Sequence, residues 1–131
     1  MKTVMAQGTF DILHPGHLHY LRRSAEQGEK LVVVISRDSR AGKKKDLYFS
    51  EDERKEMVDS LEMVDKAVLG SEGDIYSTVE KVDPDVITLG HDQEHSEEKV
   101  REMAEKATGH TVEVVRVGEK GDYSSTDIRD F

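Results

Sequence analysis

The run Lys30-Leu31-Val32-Val33-Val34-Ile35-Ser36 decides the fold. A strand with one wet face alternates apolar and polar residues, but this one is continuously apolar and β-branched through its centre. Such a run predicts a strand covered on both faces, as in a parallel sheet flanked by helices. Towards the N-terminus, Gly28 closes residues 16–27, where Leu18, Leu21 and Ala25 recur at helical spacing. Residues 3–7 before it read as a second buried strand. Towards the C-terminus, residues 66–69, 86–89 and 111–117 complete a set of five.

Helical patterns separate these strands. Ser50 and Glu53 suggest a capping box before a helix at 54–61. A helix at 74–82 stops before Asp83-Pro84, another at 96–107 stops before Gly109, and Ser124 or Ser125 opens a short one at 124–131. Residues 37–49, rich in Arg, Lys and Gly, form the longest loop. The alternation predicts one α/β domain over residues 1–131: a doubly wound, Rossmann-like unit with a five-stranded parallel sheet and right-handed crossovers.

Bulk properties narrow the function. A formal charge of −9 argues against general nucleic-acid binding, which needs a broad basic face. The absence of cysteine excludes a disulfide framework, a thiolate zinc site and a cysteine nucleophile. No apolar run approaches the roughly 18 residues of a spanning helix, and residues 1–6 lack a signal-peptide core. A cytoplasmic enzyme or binding domain that does not engage membranes is expected.

In such sheets, ligands sit beyond the carboxyl ends of the strands. The first strand runs into Gln7-Gly8-Thr9-Phe10, and His14-Pro15-Gly16-His17 opens the first helix. Gly8 would let the backbone approach a ligand closely, and Thr9 offers a hydroxyl and an N–H. A helix start has unpaired N–H groups and partial positive charge, which favour an anion. Three residues apart, His14 and His17 share a face there, and both could donate to one polyphosphate. Adjacent phosphate would favour the protonated, doubly donating imidazole. Two histidines beside a turn are also commonly surface or cap residues. The zinc-protease pattern, with four-residue His spacing and an adjacent Glu, is absent.

Gly8-Thr9-Phe10-Asp11-Ile12-Leu13-His14-Pro15-Gly16-His17 resembles the signature of the cytidylyltransferase-like nucleotidyltransferases, H-x-G-H following G-x-F-D. The resemblance implies that His14 and His17 contact nucleotide phosphates and stabilise the transition state. Thr9, Phe10, Pro15 and Gly16 are then neighbouring nucleotide contacts, while Asp11 either sits near the metal or fixes the turn. It also implies a phosphate-contacting lysine among Lys43, Lys44 and Lys45, with Lys44 the chosen candidate. Without the resemblance, those lysines read as a solvated turn.

Arg54 lies in Glu53-Arg54-Lys55-Glu56-Met57, which resembles the family's E-x-R-x-x-M/L segment. Equally, it reads as an exposed partner in i,i+4 ion pairs. Gly90-His91-Asp92 resembles a G-x-D element and implies that Asp92 meets the base or ribose. The spacing of His91, Asp92 and His95 permits metal ligation, but Glu94, Glu97 and Glu98 beside them read as a solvated helix start. Tyr123-Ser124-Ser125-Thr126-Asp127-Ile128 resembles the family's hydroxyl-rich motif. That implies a second anion cradle from Ser125 and Thr126, with Tyr123 near the nucleoside. The usual R-T-E-G approach is missing, so any arginine role there passes to Arg116 or Lys120.

Within the family the chain resembles the archaeal FAD synthases, notably in Ala6–Phe10, His17–Leu21 and residues 84–93. This implies ATP rather than CTP as donor, FMN as acceptor and Mg²⁺ carried mainly on the phosphates, with no metal site built by protein residues. Small members of the family often pair as homodimers, so the resemblance implies a possible homodimer. The flavin has few aromatic partners, and Tyr48 and Phe49 are the choice because they follow the lysine loop. Alternatives are a glycerol-3-phosphate cytidylyltransferase, a sugar-phosphate (heptose) adenylyltransferase of lipopolysaccharide-core synthesis, and a non-catalytic nucleotide-binding domain.

Overall fold

A computed structural model describes residues 1–41, 47–71, 75–90 and 96–118. Its elements are β1 (Thr3–Gly8), α1 (Pro15–Ala25), β2 (Lys30–Ile35), α2 (Asp38–Ala41) and α3 (Glu51–Asp59), followed by β3 (Lys66–Leu69), α4 (Ile75–Val82), β4 (Val86–Gly90), α5 (Glu97–Thr108) and β5 (Glu113–Val117). The strands form one parallel sheet in the order β3-β2-β1-β4-β5. The chain winds outward from β1 to β3, then returns to the other side of β1. The expected five-stranded parallel α/β architecture is therefore present, with its switch point between β1 and β4.

The continuous apolar run behaves as its composition demands. Leu31, Val33 and Ile35 join Val4, Ala6, Leu21 and Val58 on the face covered by α1 and α3. Val34 joins Met5, Ile87, Leu89, Val79 and Ala104 on the face covered by α4 and α5. Both faces are dry, so alternation has nothing to select.

Element boundaries shift where side chains compete for backbone groups. Ser50 Oγ accepts the Glu53 N–H at 3.2 Å, and Glu53 Oε1 accepts the Ser50 N–H at 3.0 Å. This capping box starts α3 at Glu51, three residues earlier than the hydrophobic pattern suggested. β5 begins at Glu113, because the Glu105 carboxylate takes the Val112 N–H at 3.1 Å. The predicted loop 37–49 contains the short helix α2, and the predicted helix 124–131 lies outside the described residues.

At the amino end of the sheet, His110 Nδ1 lies 2.9 Å from the Thr111 carbonyl and Nε2 lies 2.8 Å from the Asp83 carboxylate. Both partners only accept, so the doubly protonated, cationic ring is the form that satisfies both contacts. The Thr111 carbonyl first, and Asp83 second, raise the His110 pKa above 6.5. A raised folded-state value means the stabilisation is complete below the unfolded pKa and disappears as pH climbs through the folded one. Asp83 occupies left-handed backbone (φ 52°), which Asn tolerates, so Asp83→Asn removes the charge without altering the backbone. Urea denaturation should show the wild-type advantage over Asp83→Asn below about pH 6.5 and its decline above. A pH-independent difference would remove this pair from the stability argument.

Candidate active site

The carboxyl end of β1 turns through Phe10, whose backbone is left-handed (φ 53°) although it is not glycine. That conformation costs on the order of 1 kcal/mol or more. It folds the buried Phe10 ring back over Gly8, where an added Cβ would fall 2.7 Å from the ring's Cε2 and Cζ. The Phe10 ring thus occupies the place of a side chain at position 8, which requires glycine there.

From Phe10 the packing passes to the histidines. The Phe10 and His17 rings meet edge to face at 5.2 Å, and the His17 and His14 rings stack at 3.8 Å with 23° between their planes. His14 is the N-cap of α1, with extended backbone, and its Nδ1 accepts the Gly16 N–H at 3.1 Å. Pro15 follows at the first helical position, where its missing N–H costs nothing. A backbone N–H can only donate, so His14 Nδ1 is unprotonated and Nε2 carries the hydrogen. With Nδ1 engaged by Gly16, Nε2 is the ring atom that His14 has left to offer a ligand. The pairing of His14 with His17 across one helical turn agrees with the sequence.

Arg54 holds the turn from below. It is fully buried, not the exposed residue that i,i+4 pairing would make it. Its Nη1 donates to the Thr9 and Ser36 carbonyls, both at 2.9 Å, and Nε to the Phe49 carbonyl at 3.2 Å. Nη2 donates to Asp38, and this hydrogen bond is the main reason the Asp38 carboxyl lies below its ordinary range. One guanidinium from α3 thus ties together the chain leaving β1, the chain leaving β2 and the start of α2. The fork geometry of Arg suits four acceptors in different directions; a lysine ammonium would not reach them all.

The Asp11 carboxylate accepts the Tyr48 N–H at 3.0 and 3.1 Å and the Phe49 N–H at 3.0 Å. Of the two readings of Asp11, this favours the structural one: it holds residues 48–49 beside the histidine turn. Tyr48 is left 78% exposed on that rim, as an unpacked aromatic face. Residues 43–45, 91–95 and 119–131 lie outside the described residues, so Lys44, Asp92, Tyr123, Ser125 and Thr126 have no described position. Arg116 is placed: it donates to the Gly90 carbonyl at 2.8 Å and pairs with Glu97, latching the end of β4 to α5. Among the described residues, no group of three or more His, Asp or Glu could hold a metal ion.

Sequence reasoning counts Tyr20 only among the few aromatics available to a flavin and does not connect it with Ser24 and Thr88; all three are buried between α1 and the sheet. The available signal was Thr88, a polar residue inside the apolar run 86–89, together with Tyr20 and Ser24 one helical turn apart. Their hydroxyls bond to one another and to both strands at the switch point.

Comparison with known proteins agrees with this geometry. Residues 5–131 match the cytidylyltransferase-like family. An FAD synthase from Natrialba magadii is 49% identical over 105 residues, covering 80% of this chain and 71% of that protein. One from Picrophilus torridus is 46% identical over 129 residues, covering 96% and 92%. A crystal structure from Thermoplasma volcanium, described as a lipopolysaccharide core biosynthesis protein, superposes with a TM-score of 0.84 at 47% identity, covering 89% of this chain and 96% of that one. With the family match running over residues 5–131 and close relatives aligned over nearly the whole chain, this protein belongs to the cytidylyltransferase-like nucleotidyltransferase family.

Proposed function

We propose that this chain transfers the AMP moiety of ATP to FMN, giving FAD and pyrophosphate. The observation that carries the reading is the stacked His14–His17 pair at the start of α1, beyond the carboxyl end of β1. The curated relatives named FAD synthase support the choice of acceptor. An FMN phosphate oxygen attacks the α-phosphorus of ATP in line, the bond to the bridging oxygen breaks, and pyrophosphate leaves. No covalent protein intermediate is required, so catalysis comes from positioning and charge stabilisation.

His14 supplies its Nε2–H and the stacked His17 a second ring N–H to the phosphate oxygens, with the α1 amide end adding partial positive charge. Lys44 adds a cation from the segment between α2 and Tyr48. Thr9, Phe10, Pro15 and Gly16 shape the nucleotide contact. Ser125 and Thr126 hold the pyrophosphate end, and Asp92 and Tyr123 the nucleoside, as the family resemblance implies. Family members use a divalent cation, here assigned to the nucleotide's phosphates as Mg²⁺, where it would neutralise the leaving pyrophosphate. The donor set fits that assignment: the turn offers N–H groups, and Asp11 already receives two backbone amides. We place the enzyme in the cytoplasm as a homodimer; light scattering tests the second point.

Tyr48 is the proposed partner of the isoalloxazine ring, since it is exposed and pinned to the rim by Asp11. Loss of one such stacking contact is worth about 1 kcal/mol, or roughly five-fold. Steady-state kinetics of Tyr48→Ala should therefore show the KM for FMN rising about that much, with the KM for ATP unchanged. An unaltered FMN KM would move the flavin elsewhere.

A second reading, adenylyl transfer to a sugar phosphate, is the alternative that the family resemblance raises, and the Thermoplasma volcanium protein is described as one of lipopolysaccharide core biosynthesis. Incubation with ATP or CTP, Mg²⁺ and FMN, glycerol 3-phosphate or heptose 1-phosphate separates the readings by pyrophosphate release and chromatography. FAD from ATP and FMN is expected. Turnover only with the sugar phosphate or with CTP and glycerol 3-phosphate would replace the proposal, and no product with any acceptor would leave a binding domain.

A further inference from the structure

β1 pairs with β2 along all of Thr3–Gly8, but with β4 only at Val4–Val86 and Met5–Ile87. Beyond that point the two central strands part, and the crevice between them is the switch point at which such sheets take their ligands. At the point of parting a side chain replaces the backbone rung. The Gln7 N–H donates to Tyr20 Oη at 3.2 Å, and Tyr20 Oη donates to the Thr88 carbonyl at 2.7 Å. One phenolic oxygen thus stands between a donor on β1 and an acceptor on β4.

The surrounding hydroxyls give this oxygen a definite orientation. Ser24 Oγ donates to the Tyr20 carbonyl at 2.8 Å, so the 2.7 Å contact between Ser24 and Thr88 hydroxyls has Thr88 as donor. Thr88 Oγ1 also lies 3.5 Å from Tyr20 Oη, and Tyr20 gives its own hydrogen to the Thr88 carbonyl. Ser24 and Thr88 are fully buried, and Tyr20 is nearly so. The ring hangs from α1 one turn after His17, so the same helix carries the spacer and the histidine pair.

We infer that Tyr20 is a positioning residue whose phenolic oxygen keeps the β1–β4 crevice open to the width the nucleotide requires. A direct rung would bring the strands together by about the width of a hydroxyl and draw Gly8–Phe10 towards β4. The inference rests on nucleotidyl transfer at this site but not on the identity of the acceptor.

The test compares Tyr20→Phe with Ser24→Ala in steady-state kinetics and thermal melts. Tyr20→Phe keeps the ring and removes the spacer; its KM for ATP should rise about ten-fold while the KM for the acceptor holds. Ser24→Ala cuts the same network one residue away, so it should lower the melting temperature and leave the ATP KM as it was. A purely structural Tyr20 would lower the melting temperature without moving the ATP KM. An ATP KM within two-fold of wild type in Tyr20→Phe, or an equal rise in both variants, overturns the inference. Should Tyr20→Phe fail to fold, fluorotyrosine-labelled wild-type protein carries the test, with the Tyr20 ¹⁹F resonance assigned by Phe at positions 48, 76 and 123. That resonance is expected to shift and saturate with added ATP; a stationary signal at saturating ATP overturns the inference. Loss of FMN turnover together with an unaltered response to ATP would defeat the proposed acceptor and leave the Tyr20 role standing.

Discussion

His17→Ala is expected to lower kcat by on the order of 10²–10³-fold, the usual loss when one preorganised donor to a developing charge is removed. The expectation follows from the packing as well as from the residue type. His17 stands between the Phe10 edge and the His14 face, so its removal also takes away the surface against which His14 is stacked. Stability should change little, because His17 belongs to a helix start and not to either hydrophobic cluster. Circular dichroism and single-turnover kinetics check the two halves separately. Full turnover by a folded His17→Ala protein would end the phosphate-clamp assignment. His14→Ala should lose activity too, with a further loss of about 1 kcal/mol because the N-cap acceptor for Gly16 disappears.

The largest stability effect is expected for Arg54→Ala. The substitution leaves the Thr9, Ser36 and Phe49 carbonyls without their charged donor and opens a cavity where the guanidinium lay. Asp38 is 45% exposed and can turn to water, so its share is discounted and the loss is set by the buried carbonyls. About 3 kcal/mol is a reasonable total, roughly a 10 °C fall in melting temperature for a domain of this size. Activity should fall at least ten-fold even where the variant is folded. The Thr9 carbonyl immediately precedes Phe10, whose strained backbone persists only while its surroundings hold it. Arg54→Lys should recover part of the stability and little of the activity, since a point donor cannot serve all four acceptors. A melt within 3 °C of wild type for Arg54→Ala would show that the carbonyls find other donors.

The site was partly legible in advance. His14 and His17 were readable because their pairing depends on spacing within one helical turn, and Pro15 marks the first helical position. Asp11 was left between two roles that only its distance from Tyr48 and Phe49 could separate. A second reason for glycine at position 8, the Phe10 ring lying where its Cβ would be, depends on the left-handed turn at Phe10 and is invisible in the local pattern. Arg54 was ambiguous because a charged residue within a charged helix segment reads as solvated, and nothing local reports that its end reaches three separated carbonyls.

By itself, the sequence determined the parallel sheet, through Leu31–Ile35, the cap at Ser50 and the helix end at Gly109. It also determined the amide-rich turn at residues 14–17. All of these depend on residues a few positions apart, whose geometry is set by strand or helix repeat. Only the tertiary structure decided that Arg54 binds Thr9, 45 positions away, and that Tyr20 bridges to Thr88, 68 positions away. Arg54 meets Thr9 because α3 packs over β2 beside β1. Tyr20 meets Thr88 because β4 returns to the other side of β1, and strand order is a property of the packed whole that no local pattern encodes.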